Sequence, residues 1–185
     1  MHCTFLTHPE VVVDPDAPIE DWGLSPQGEV RAGRAASVLP RPERLVSSAE
    51  RKALDTAAVL TRSWHLDAEV DARLGEMDRS ATGYLDPQEF EPTVDAFFAR
   101  PVESIRGWER AVDAQRRVEH AVRQLVAETP ERSIVFVAHG GVGALLLASL
   151  TRVPISRDLD QPGMGSAFRF DPTRWKALST WQRIA

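Results

Sequence analysis

Short, wholly apolar runs alternate along this chain with stretches in which apolar residues return every three or four positions, the pattern of buried strands separated by amphipathic helices. Cys3 to Leu6 is the first such run, and it ends in Thr7-His8-Pro9, as a buried strand does where it opens into a loop. Asp14 to Trp22, rich in Pro and Asp, reads as a surface loop. Ser25-Pro26 then supplies an N-cap and a first-turn proline for a helix to about Leu39, with Gly28, Ala32, Ala35 and Leu39 on its buried face. Pro40 and Pro42 stop it. Arg44 to Val46 predicts a second strand, and Ser47-Ser48 a cap for a helix that carries Ala53, Ala57 and Leu60 at helical spacing.

Periodicity is weakest from Ala68 to Arg100, where Gly75, Gly83, Pro87 and Pro92 leave only a short helix around Glu89 to Phe98. Residues of about 75–103 read as an insertion or lid. Ser104 to about Glu128 predicts one long amphipathic helix through Ile105, Trp108, Val112, Val118, Ala121 and Leu125. Ser133 to Ala138 is a buried strand by composition, and His139-Gly140-Gly141 turns directly into an apolar helix from Val142 to Leu150. Ala167 to Phe170 and Lys176 to Thr180 predict a closing hairpin around Asp171-Pro172-Thr173. The order predicts an α/β fold, a mostly parallel central sheet flanked by helices on both sides, in a single domain over 1–185.

Charge narrows the partners. With 22 basic and 27 acidic side chains in 185 residues, a net of −5, the overall field does not draw in a nucleic-acid backbone, and an anion site has to be local. Cys3 is the lone cysteine, which excludes an internal disulfide and a multi-cysteine zinc motif and suits a reducing compartment. The N-terminus has no secretory pattern, and Gly141 to Leu150 is too short for a bilayer core of roughly 30 Å. The expectation is a cytoplasmic protein with no membrane or nucleic-acid partner; a homodimer is allowed.

Ligands of open α/β sheets bind beyond the carboxyl ends of the strands, so His8 and His139, each closing an apolar strand, are candidates to face one crevice. His2, His65 and His120 carry no such signal, and Tyr84, Phe90, Phe97, Phe98 and Trp108 read as core or lid packing. Gly141-Val142-Gly143 lacks the third small position and the ribose-binding acid of a dinucleotide fingerprint. No closely spaced ligand pair supports zinc at the two histidines.

Thr7-His8-Pro9-Glu10 resembles the opening Arg-His-Gly-Glu motif of the histidine phosphatase (phosphoglycerate mutase-like) superfamily. Four more motifs follow in the family's order. Leu24-Ser25-Pro26-Gln27-Gly28 resembles its Pro-Leu-Thr-x-x-Gly turn, Ser47-Ser48-Ala49-Glu50-Arg51-Lys52-Ala53 its Ser-Ser-Pro-x-x-Arg-Ala segment, Leu74-Gly75-Glu76-Met77-Asp78 its Leu-x-Glu-x-Asp stretch, and His139-Gly140-Gly141-Val142 its second histidine motif.

The resemblance implies a phosphoglycerate mutase-like fold and a phosphatase that needs no metal or organic cofactor and acts on a small phosphomonoester. His8 would be the nucleophile, Glu76 the proton donor and His139 a stabiliser of the transferring phosphoryl, with Thr7, Arg51, Lys52 and Gly140 lining its site. Mutase chemistry is a weaker fit. The chain departs from the pattern where Thr7 and Lys52 stand in place of arginines and Pro9 in place of glycine. Neither threonine nor lysine offers a planar guanidinium fork. Arg51, Arg73 and Arg79 are near enough in sequence to supply the lost charge, Arg51 first among them. The second reading is a degenerate member that binds a phosphorylated ligand or a protein partner without turnover.

Overall fold

Phe5 and Leu6 are adjacent on one strand and belong to different cores, because side chains of a strand alternate between its two faces. Phe5 packs with Phe136, Phe168 and Phe170, whereas Leu6 packs with Leu45, Val135, Val137 and Ala167. The structure, a computed structural model, describes residues 2–184. The sheet between the two cores contains β1 (Cys3–Thr7), β2 (Arg44–Ser47), β3 (Ala68–Val70), β4 (Ile134–Ala138), β5 (Ser166–Asp171), β6 (Lys176–Ala177) and β7 (Gln182–Arg183). Its order is β3-β2-β4-β1-β5-β6, with β7 also paired to β5. The β3-β2-β4-β1 part is parallel, and β5 runs antiparallel to β1, β6 and β7.

Helices α1 (Pro26–Val38) and α2 (Arg51–Trp64) cover the Leu6 face through Ala35, Ala53, Ala57 and Leu60. The Phe5 face is covered by α3 (Pro87–Ala99), α4 (Ala111–Glu128) and α5 (Gly140–Thr151). This is the expected α/β layering, helices on both faces of a mainly parallel sheet. Cys3, in the middle of the sheet on β1, is fully buried, and burial pushes its thiol up to about 12. Among the described residues, no helix is long and apolar enough to cross a membrane.

Several expected elements differ. The helix expected from Ser104 starts only at Ala111, because Arg106 and Gly107 take positive φ values of 53° and 85° and break the chain into turns. Ile105 and Trp108 are buried from this loop instead, and Trp108 Nε1 donates to Thr82 Oγ1 at 2.8 Å. Ser47 and Ser48 do not cap α2. Its N-cap position is Glu50, without a side-chain bond, because Ser48 Oγ faces His139. Leu39 is the C-cap of α1 and only partly buried. The half-exposed edge strand β3 and the two-residue β7 carry no apolar run that could announce them.

Candidate active site

Register brings three strand ends together. Thr7 pairs with Ala138 across β1 and β4, and Ser47 with Val137 across β2 and β4, so His8, His139 and Ser48 emerge side by side at the carboxyl edge. The backbone extends the pairing by one residue: His8 N–H donates to the Ala138 carbonyl at 3.1 Å and Ser48 N–H to the Val137 carbonyl at 2.9 Å. The two imidazoles lie 5.3 Å apart between centroids, tilted by 60°. His8 Nδ1 is 2.8 Å from the Pro9 carbonyl. A carbonyl can only accept, so Nδ1 carries the proton and Nε2 keeps its lone pair. Burial, helped by the charges of Lys52 and Arg79, lowers His8 to about 4, so the ring is neutral near pH 7.

Glu50 organises the floor beneath these rings. It pairs with Lys52 Nζ at 2.5 Å, faces His139 Nε2 at 3.3 Å and accepts the Glu76 backbone N–H at 2.7 Å. Burial alone would raise its carboxyl, but the Lys52 ammonium and the Glu76 N–H bring it down to about 2. His139 Nε2 also meets Ser48 Oγ at 2.8 Å, and its Nδ1 is buried without a hydrogen-bond partner among the described residues. Burial keeps the His139 ring neutral against the pull of Glu50.

Glu76 arrives from the irregular segment after β3, and its carboxylate accepts N–H bonds from Gly141 at 3.0 Å and Val142 at 2.9 Å. It thereby caps the first turn of α5, whose leading N–H groups have no partner inside the helix. A glycine is needed here, because a Cβ on Gly141 would lie 2.8 Å from Glu76 Oε1. Burial raises the Glu76 carboxyl, the charge of Glu50 adds to the rise, and the two helix N–H groups only partly oppose it. The upward shift is in the direction that proton donation requires.

Arg79 follows on the same segment, with its guanidinium 5.1 Å from the centroid of Phe90. Its side chain makes no hydrogen bond or ion pair among the described residues. It lines a cavity of about 550 Å³ together with His8, Lys52, Glu76, Gly140 and Gln161. A second cleft, of about 820 Å³, lies beyond Glu50 and Glu76 and takes in Ser48, Arg51 and Arg117 but neither His8 nor His139.

The sequence profile of the histidine phosphatase superfamily (branch 1) matches residues 17–180. The chain belongs to the histidine phosphatase superfamily. It is 33% identical over 193 residues to glucosyl-3-phosphoglycerate phosphatase of Mycobacterium tuberculosis, across 89% of this chain and 85% of that protein. The solved native structure of a mycobacterial glucosyl-3-phosphoglycerate phosphatase superposes with a TM-score of 0.80 at 28% identity, covering 98% of this chain and 95% of that one. A complex of that enzyme with inorganic phosphate gives 0.76 at 30% identity, covering 98% and 94%. His8 precedes the stretch matched by the profile, so its place in the histidine phosphatase pattern rests on the strand register and the facing ring of His139.

Of the residues singled out from the family motifs, His8, Lys52, Glu76 and Gly140 line one cavity, and His139 stands against His8. Thr7 lies beneath it, fully buried. Its hydroxyl accepts from Ser166 N–H at 3.0 Å and donates to Gln161 Oε1 at 2.6 Å. That turns the Gln161 amide nitrogen over Gly140, the atom a Cβ on Gly140 would strike first. Arg51 is 65% exposed, pairs with Asp55 at 3.4 Å and opens on the second cleft; Arg73 is held by Asp71. The first-named source of positive charge is thus outside the histidine cavity, and Arg79 is inside it. Sequence reasoning gave no role to Glu50, Gln161 or the aromatic walls. An acidic residue three positions before the Lys52–Ala53 pair's end of the motif gave no spacing signal, since only register turns it toward His139.

Proposed function

We propose that this chain is a cofactor-independent phosphatase that hydrolyses a small phosphomonoester through a phosphohistidine on His8. The observation that carries the reading is the Pro9 carbonyl on His8 Nδ1, which leaves Nε2 free to attack, in one cavity with a carboxyl raised by burial. Nε2 attacks phosphorus as the ester P–O bond breaks, and Glu76 transfers its proton to the departing oxygen. Water then attacks the phosphoimidazole, Glu76 takes the proton of that water, and the P–N electron pair returns to His8. His139 and Gly140 stand beside the transferring group. No step calls for a metal or organic cofactor.

A phosphoryl dianion needs cationic donors around its oxygens. Lys52 is tied to Glu50, whose charge offsets its own, and its ammonium also donates to the Ile19 carbonyl at 2.8 Å. Arg79 is the cavity's unpaired cation, and the Gln161 amide nitrogen, oriented by Thr7, adds a neutral donor. This pair replaces the family's two guanidinium forks.

The test is phosphate release from p-nitrophenyl phosphate and a panel of sugar, nucleotide and glycerate phosphates, wild type against His8→Ala, with rapid quench to trap the protein-bound phosphoryl. A loss of about 10⁴-fold or more and disappearance of the trapped species are expected. Retention of activity in a folded His8→Ala protein sinks the proposal. The neutralised Lys52 and uncharged Thr7 favour a second reading, binding without turnover; saturable binding of inorganic phosphate with no release from any ester would select it.

A further inference from the structure

We infer that the site selects phosphomonoesters whose leaving group is apolar and uncharged, an alkyl or small aryl chain rather than a hydroxylated or carboxylated one. This rests on the phosphatase reading and extends it to the part of the substrate that departs. A phosphoryl group fills a small fraction of a cavity of about 550 Å³, a volume within the ~300–1,000 Å³ typical of sites for much larger ligands. The rest is walled by hydrocarbon. Leu85, Phe90, Val94 and Phe98 line one side, and Ile19 and Trp22 another. Trp22 lies 5.8 Å from the Tyr84 ring. At the rim Val13, Tyr84 and Met164 are 52%, 36% and 38% exposed, apolar surface that a bound leaving group would cover.

Arg79 and the Gln161 amide nitrogen go to the phosphoryl group, and the other cationic side chains of the cavity are already engaged. Lys52 is held by Glu50 and Ile19, and Arg157 by Glu91 and Asp95. A leaving group rich in hydroxyls would lose water here without finding replacement donors and acceptors. Glu91 is tied to Arg157 and Asp160 presents a further carboxyl, so this part of the wall offers a carboxylate no free cation. The cavity therefore rewards methylene groups and penalises polar ones.

Two series test this. Linear alkylphosphonates from methyl to octyl are titrated into the full chain by calorimetry, and alkyl phosphates of the same lengths are assayed for phosphate release. Beyond ethyl the leaving alcohols differ little in acidity, so any slope reports binding rather than reactivity. Affinity and kcat/KM should each rise about fourfold per added methylene up to about hexyl. Glycerol phosphate and 3-phosphoglycerate should fall at least about tenfold below propyl phosphate. Tyr84→Ser and Met164→Ser, both at the rim, should flatten the slope. A flat phosphonate series, or preference for glycerol phosphate or 3-phosphoglycerate over propyl phosphate, overturns the inference. A phosphonate slope without phosphate release from any ester overturns the phosphatase reading and leaves the selection of apolar chains standing.

Discussion

The floor and the roof of the cavity are built in opposite ways. The floor consists of strand ends, where His8, His139 and Ser48 are fixed by β-ladder register and the polar side chains are cross-linked through Glu50. The roof comes from the irregular segment after β3 and from α3, and it supplies Glu76, Arg79 and the apolar walls. His8, His139 and Ser48 thus come from rigid pairing, whereas Glu76, Arg79 and the shape of the chamber come from loop and helix. Chemistry common to a superfamily can stay with the floor while selectivity varies with the roof.

The largest effect that would sharpen this division belongs to Glu76→Gln, which removes the roof's ionisable carboxyl. We expect kcat to fall by about 10²–10⁴ with alkyl phosphates and by much less with 2,4-dinitrophenyl phosphate, whose leaving group needs no proton; equal losses with both would remove Glu76 from the acid role. Next comes Arg79→Ala, with an expected loss of about 10²–10³ in kcat/KM, against less than about twofold for Arg51→Ala. The reverse ranking would break the comparison, because the charge would then belong to the α2 side rather than the roof.

A smaller effect is expected of Glu50→Gln, which takes a negative charge from the floor. Inorganic phosphate should inhibit about threefold to tenfold more tightly. Lys52 is left buried and unpaired, so thermal stability should fall, and added phosphate should restore much of it. Absence of both changes would show that Glu50 does not govern the charge beneath the histidines. The pH profile is the mildest test. Protonated His8 cannot attack and ionised Glu76 cannot donate, so kcat/KM should rise with pH through about 4 and fall again above the raised Glu76 value. Glu76→Gln should abolish the alkaline fall and keep the acid rise.

The sequence made the floor legible because its signals are local. Apolar runs at Cys3–Leu6 and Ile134–Ala138 predict strands, and the residues that close them are two histidines. The roof has no such periodicity. Which of Arg51, Arg73 and Arg79 enters the cavity is decided by the three-dimensional placement of α2 and of the irregular segment after β3, whose turn at Gly83 leaves only a faint mark in composition. Phe90 and Phe98 read as packing because an aromatic residue looks the same in a core and in a chamber wall. Glu50 was invisible for a related reason: its partners, His139 and the Glu76 backbone, are distant in sequence and meet it only through the sheet.

Cys3 turns the sheet into something that can be timed. Its thiol is the chain's lone sulfhydryl, fully buried on β1 between β4 and β5 and pushed up to about 12. An alkylating reagent can reach it only when the central strands part, so the rate of labelling in native buffer is a clock for the opening that would also scatter the two histidines. A reagent added at the end of any inactivation experiment then separates molecules that lost activity through the roof from those whose sheet came apart.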